Sequence, residues 1–127
     1  MKYHVLRSLI MGLATALVLA SPSAFAAAPL GNSAALQGVK NKSTLVLVDV
    51  RESAEHEATS VPGAVNIPRG FLEFKVAESC PEAEQPILIQ CKTGGRAVLA
   101  AKTLSEMGYK NVGAYQGTVE DLLAALE

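Results

Sequence analysis

The chain has 127 residues, 11 Lys and Arg against 12 Asp and Glu for a net charge of −1, half of its residues hydrophobic, and no tryptophan. That length allows one compact domain, and mild acidity with interspersed signs argues against a nucleic-acid surface. The hydrophobic share is inflated by the first residues and does not make the rest a membrane protein.

Residues 1–26 read as a secretory signal peptide. Lys2 and Arg7 make a basic start, the stretch from Leu9 to Ala20 is apolar but short of a membrane span, and Ala24-Phe25-Ala26 offers a small-x-small cleavage site. Ser21, Pro22 and Ser23 interrupt the apolar run before it reaches spanning length. The expected mature chain is periplasmic and has no membrane anchor; having lost two bases and no acids, it carries a net charge of −3.

Residues 27–43 are expected to be a leader with a short helix from Ser33 to Val39, and 44–127 to be the folded domain. Thr44 to Val50 is nearly unbroken in aliphatic residues, which predicts a strand buried on both faces of a parallel sheet. Ser53 to Ala58, with Ser53 as N-cap, predicts one or two helical turns. Val61-Pro62-Gly63-Ala64 is a turn, and Ala64 to Ile67 a short strand closed by Pro68. Phe71 to Ser79 carries Phe71, Phe74 and Val76 among charges and predicts an amphipathic helix. A strand from Ile87 to Ile89 precedes Cys91, and a helix follows from about Gly95 to Met107, ended by Gly108. Asn111 to Tyr115 is a weak last strand, and Val119 to Leu126 a terminal helix. Alternating strands and helices specify an α/β fold with a mainly parallel sheet and helices on both faces.

Cys91 therefore falls where a strand hands over to a helix, at the edge of the sheet where such folds bind ligands. A tight loop opening a helix turns several backbone N–H groups inward, and the helix dipole adds partial positive charge. Both favour the thiolate, as do the charges of Lys92 and Arg96. Gly94 and Gly95 let the backbone close around a small anion, since a Cβ at either position would obstruct left-handed backbone. The expected disposition is a nucleophilic Cys91 in a cup formed by Lys92, Thr93, Gly94, Gly95 and Arg96, with Lys92 and Arg96 drawing in an anionic substrate.

Cys80 precedes the strand that Cys91 follows, and a strand rising about 3.3 Å per residue separates them too far for a disulfide. Two free thiols are expected. Asp49 and Arg51 alternate onto one side of a strand end, where they can pair with each other or with loop ends and brace the active-site loop. His56 lies in a Glu-rich polar turn and is not read as a metal ligand or general base, and no Cys/His cluster has metal-binding spacing.

Several stretches, in order, resemble the rhodanese (sulfurtransferase) homology domain. Val48-Asp49-Val50-Arg51 with Glu55 is similar to that family's Asp-x-Arg element, and Val61 to Pro68 to its Pro-Gly-Ala-x-Asn-Ile-Pro segment. Cys91 to Arg96 resembles the active-site loop, and Leu104 to Val112 the helix-turn-strand that follows. The likeness runs from about Leu45 to Gly117 and is closest to a single-domain exported type. Thr59-Ser60-Val61 stands where the family often has Gly-His-Ile, Thr118 where a second glycine is common, and Ala97 where a serine is frequent.

The resemblance implies a rhodanese-like fold with a five-stranded sheet. It also implies transfer of a sulfane sulfur from thiosulfate or a similar donor, through a Cys91 persulfide, to a thiophilic acceptor such as cyanide or a thiol. That is covalent catalysis needing no metal or organic cofactor, in a protein expected to be a monomer. The alternatives are a sulfur-carrier or partner-binding module without turnover and a cysteine phosphatase or arsenate reductase. Relatives of the latter kind have a longer loop between Cys and Arg than the Lys92-Thr93-Gly94-Gly95 found here. A redox-sensing Cys91 is a third alternative.

Overall fold

The computed structural model describes residues 32–40 and 44–127. The expected signal peptide, the leader up to residue 31 and residues 41–43 lie outside the described residues. The elements follow as α1 (Asn32–Lys40), β1 (Val46–Asp49), α2 (Ser53–Ala58), β2 (Val65–Asn66), a 3-10 turn (Arg69–Phe71), α3 (Leu72–Ser79), β3 (Ile87–Gln90), α4 (Gly95–Glu106), β4 (Val112–Ala114) and α5 (Val119–Leu126).

All strands run parallel in the order β2-β1-β3-β4, with Val48 opposite Ile89 and Ile89 opposite Ala114 in register. The sheet has four strands among the described residues, where five were expected. β2 is only two residues long, and Pro68 then starts the 3-10 turn, so the chain leaves this edge of the sheet without adding a strand.

Period-two alternation divides the core between the two faces. Val48, Val50, Ile87, Ile89 and Cys91 pack with Leu72 and Val76 of α3 and with Ala97, Ala100 and Leu104 of α4. Leu47, Leu88 and Tyr115 face the other way, onto Leu122 of α5 and Leu36 and Val39 of α1. The unbroken apolar runs of β1 and β3 thus supply both layers at once, as a sheet covered on two faces requires.

Two helix details differ from expectation. α2 is capped by Glu52 and not Ser53, because the Glu55 side chain turns back to accept from the Glu52 N–H at 2.9 Å. In α3 the buried stripe is Leu72 and Val76, while Phe71 and Phe74 are exposed. Leu72 and Val76, four positions apart, share the face turned to the core, and Phe74, midway between them, falls on the opposite side. Cys80 and Cys91 are free and buried, and burial pushes the Cys80 thiol above its ordinary value.

Gln90 is an exception within this core. It sits beside Asp49 in register, is fully buried, and neither its side-chain oxygen nor its nitrogen has a hydrogen-bond partner among the described residues. An orphaned buried amide costs about 1–3 kcal/mol. Gln90→Met, which keeps the length of the side chain and removes both polar atoms, is therefore expected to stabilise the fold by roughly 1 kcal/mol. Urea denaturation measures this, and a loss of stability would contradict the account.

Candidate active site

β3 ends at Gln90, and the next residue, Cys91, delivers its side chain to the α4 face of the sheet. The chain then curls through Lys92 and Thr93 and enters α4 at Gly95, with Gly94 as N-cap. Gly94 has φ +107°, in the left-handed region that favours glycine. A Cβ there would also lie 3.2 Å from Gln116 Oε1 and 3.4 Å from the Tyr115 carbonyl. At Gly95 the backbone is helical and a Cβ would meet nothing within 4 Å, so the obstruction expected at both glycines applies to Gly94 alone.

The first N–H groups of a helix have no partner within it. In α4, Gly94 offers no side chain to cap them, and the sulfur of Cys91 takes that place. The Gly94 N–H donates to Cys91 Sγ at 3.0 Å and the Ala97 N–H at 3.4 Å. Cys91 as a whole is 1% exposed, and among the described residues its sulfur receives these two donors. Lys92 and Thr93 are exposed on the rim.

Arg96 does not reach toward the loop's interior. Its Nη1 and Nη2 grip Glu55 of α2 at 2.8 and 2.9 Å in a two-pronged ion pair, both side chains about one-third exposed. The guanidinium, with help from the Glu52 N–H, lowers the Glu55 carboxyl to about 2. Lys92 is thus the loop cation without an ion-pair partner among the described residues.

α2 is itself tied to the end of β1. Asp49 is fully buried and receives Arg51 Nε at 3.0 Å, Arg51 Nη2 at 2.7 Å, the Arg51 N–H at 3.0 Å and His56 Nδ1 at 2.8 Å. Burial alone would raise this carboxyl, but the hydrogen bonds from Arg51 and His56 hold it below the ordinary carboxylate range. Arg51 also donates to the carbonyls of Glu55 at 3.3 Å and Thr59 at 2.6 Å, so it is tied to the middle of α2 and to the residue that ends it. Asn66 of β2 donates to the Asp49 and Arg51 carbonyls at 3.1 and 3.0 Å.

Asp49 and Arg51 are therefore joined as expected, but they hold α2, and contact with the Cys91 loop runs through Glu55 and Arg96. Three residues of this support were not singled out from sequence: Glu55 as a loop partner, His56 and Asn66. Beside the loop, a cavity of about 280 Å³ opens between α2, Lys92 and Thr93, and the start of α5.

A parallel α/β sheet with a single cysteine at its carboxyl edge, capping the helix that follows, defines a protein of the cysteine-loop α/β class. Within that class, residues 32–125 match the Rhodanese-like domain family, and the chain belongs to it. It is 38% identical over 76 residues to the putative sulfur carrier protein YrkF of Bacillus subtilis, covering 60% of this chain and 40% of that protein. It is 32% identical over 65 residues to the thiosulfate sulfurtransferase PspE of Escherichia coli, covering 51% and 62%. The chain thus spans less than two thirds of either relative. Among solved structures, the human single-domain sulfurtransferase TSTD1 superposes with a TM-score of 0.64 at 25% identity, covering 76% of this chain and 95% of that one.

Two predictions follow from the support network. Arg51→Met strands the buried Asp49 carboxylate and should cost roughly 3–5 kcal/mol of stability, read by urea denaturation; a smaller loss in Asp49→Asn/Arg51→Met would show that the unpaired charge is the cause. The second concerns acid. Because the Glu55 carboxyl titrates lower in the fold than in the unfolded chain, its contribution is complete above its ordinary value of 4.5 and disappears as the pH falls toward about 2. Glu55→Gln should therefore flatten the fall in stability across that window, and an unchanged slope would refute the link.

Proposed function

We propose that the chain is a sulfurtransferase in which Cys91 carries a transferable sulfur atom. The observation that bears the most weight is the pair of N–H donors, from Gly94 and Ala97, directed at a single buried sulfur. Such donors stabilise negative charge on sulfur without any reorganisation during reaction. The family membership and the sulfur-transferring relatives point to the same chemistry.

In the first half-reaction, the Cys91 thiolate attacks the outer sulfur of thiosulfate. A bond forms between the two sulfurs, the donor's S–S bond breaks, and sulfite leaves with the electron pair. The enzyme is left as a Cys91 persulfide anion, whose charge the amides of the Lys92 to Arg96 loop hold. In the second, cyanide or a thiolate attacks the outer sulfur and returns the electron pair to Cys91. No electrons are lost or gained overall, so the cycle uses the cysteine alone and follows ping-pong kinetics. Lys92 attracts the donor's sulfonate, while Arg96, held by Glu55, fixes the first turn of α4 and with it the Ala97 donor. Thr93, Gly94 and Gly95 complete the loop backbone.

The carrier reading is favoured by the likeness to YrkF, and it differs in lacking turnover. Export to the periplasm accompanies the proposal on the strength of residues 1–26. Mass spectrometry after incubation with thiosulfate should show a gain of one sulfur atom on Cys91, absent in Cys91→Ala, with thiocyanate accumulating over many turnovers once cyanide is added. Persulfide without turnover would leave a carrier, and no added sulfur would overturn the proposal. The same spectrum reads the processed N-terminus.

A further inference from the structure

β4 runs beside β3 in parallel register, with Ile87 opposite Val112, Leu88 opposite Gly113 and Ile89 opposite Ala114. The ladder continues one step past the strand, where the Tyr115 N–H donates to the Ile89 carbonyl at 2.7 Å. The same register, carried two residues further along each strand, sets Gln116 beside Cys91. Alternation sends both to one side of the sheet. Ile89, Cys91 and Ala114 belong to the face covered by α4, whereas Leu88 and Tyr115 pack with Leu122 of α5. Gln116 therefore leaves the sheet on the face that carries the cysteine.

Its side chain reaches the loop. Gln116 Oε1 stands 3.2 Å from the place a Cβ would take on Gly94, the residue whose N–H donates to Cys91 Sγ at 3.0 Å. Glycine is favoured there by its φ of +107°, and the amide of Gln116 sits against the room that the missing Cβ leaves. Gln116 is exposed, and its side-chain amide has no hydrogen-bond partner among the described residues. The last torsion of a Gln side chain is broad and roughly two-fold. Half a turn brings Nε2, with its two N–H donors, to the place of Oε1.

A sulfonate-bearing donor brings three oxygens that need hydrogen-bond donors, and the loop's cations supply few. Arg96 is committed to Glu55, and Lys92 lies exposed on the rim. We propose that Gln116 is a specificity-determining residue for the sulfur donor, its Nε2 donating to a sulfonate oxygen while the donor's outer sulfur faces Cys91. This rests on the sulfurtransferase reading. A neutral amide suits the task, because it recognises the oxygens without adding a charge that would retain the departing anion. Gln116 moves no proton. The Cys91 thiolate forms a bond to the outer sulfur, the donor's S–S bond breaks, and sulfite departs with the electron pair.

The test follows sulfur loading of the full chain by mass spectrometry from two donors, thiosulfate and the persulfide of 2-mercaptoethanol, which delivers sulfur and has no sulfonate. Gln116→Met keeps the length of the side chain and removes its N–H donors. It should lower the ratio of the second-order loading rate for thiosulfate to that for the persulfide by about ten-fold, the lower end of what a hydrogen bond to a charged group contributes. Gln116→Lys restores a donor and should bring the ratio back to the wild-type value or above it. A residue that merely packed against the loop would be disturbed by both substitutions and would slow both donors alike. An unchanged ratio in Gln116→Met, or a ratio that falls as far in Gln116→Lys, would overturn the assignment.

Binding without transfer separates this proposal from the one beneath it. In Cys91→Ser, which cannot form the persulfide, thiosulfate should shift the side-chain NH2 resonances of Gln116, with sodium chloride at equal ionic strength as the control. Such a shift in a chain whose wild type takes up no sulfur from either donor would uphold the contact and reject the sulfurtransferase reading. Sulfur loading of the wild type with no movement of the Gln116 resonances would reject the role of Gln116 alone.

Discussion

The structure turns on the way the first N–H groups of α4 are satisfied. Most helices in this situation are capped by a side-chain oxygen at the residue before the first turn. Here that residue is Gly94, which has no side chain, and the acceptor is the Cys91 sulfur three positions earlier. One contact thereby ends a strand, closes a loop and begins a helix. It also gives an otherwise ordinary buried thiol a polar environment directed at itself alone. Cys80, equally buried, has no such setting, and burial only makes its proton harder to remove.

Holding that geometry requires fixing where α4 begins relative to β3, and the fold does so from the side. Asp49 is buried at the end of β1 and anchors Arg51, which clamps α2 through two carbonyls. α2 then presents Glu55 to Arg96, the second residue of α4. Buried charge serves here as a mechanical link, and its desolvation is offset by several hydrogen bonds to a single carboxylate. A consequence is that the two loop cations differ in kind: Arg96 is part of the frame, while Lys92 has no ion-pair partner among the described residues.

Much of this was legible in the residues. The aliphatic runs of β1 and β3 announced a two-sided sheet, and the break at Gly94 and Gly95 marked the strand-to-helix handover that places Cys91. Asp49 and Arg51 were paired correctly because alternation along a strand is a local rule. The division of labour between Lys92 and Arg96 was not legible, because it depends on Glu55, 41 positions away from Arg96 in sequence. Long-range pairing of this kind leaves no periodicity. The amphipathic helix expected around Phe71, Phe74 and Val76 is present, but its buried face is Leu72 and Val76, and which face turns inward is decided by packing that the local sequence does not show.

The same separation of roles bears on the proposed sulfur transfer, in which one loop would meet a donor and then an acceptor. If both cations were free, the loop would hold any dianion strongly, and the departing anion would compete with the acceptor for the site. With Arg96 paired to Glu55, Lys92 is the loop cation left without an ion-pair partner among the described residues. In the proposed cycle a single such cation would attract a donor's anion and hold the departing one less strongly than two would. The proposed cycle asks for little more, because its moving charge would begin and end on the sulfur that the Gly94 and Ala97 N–H groups contact.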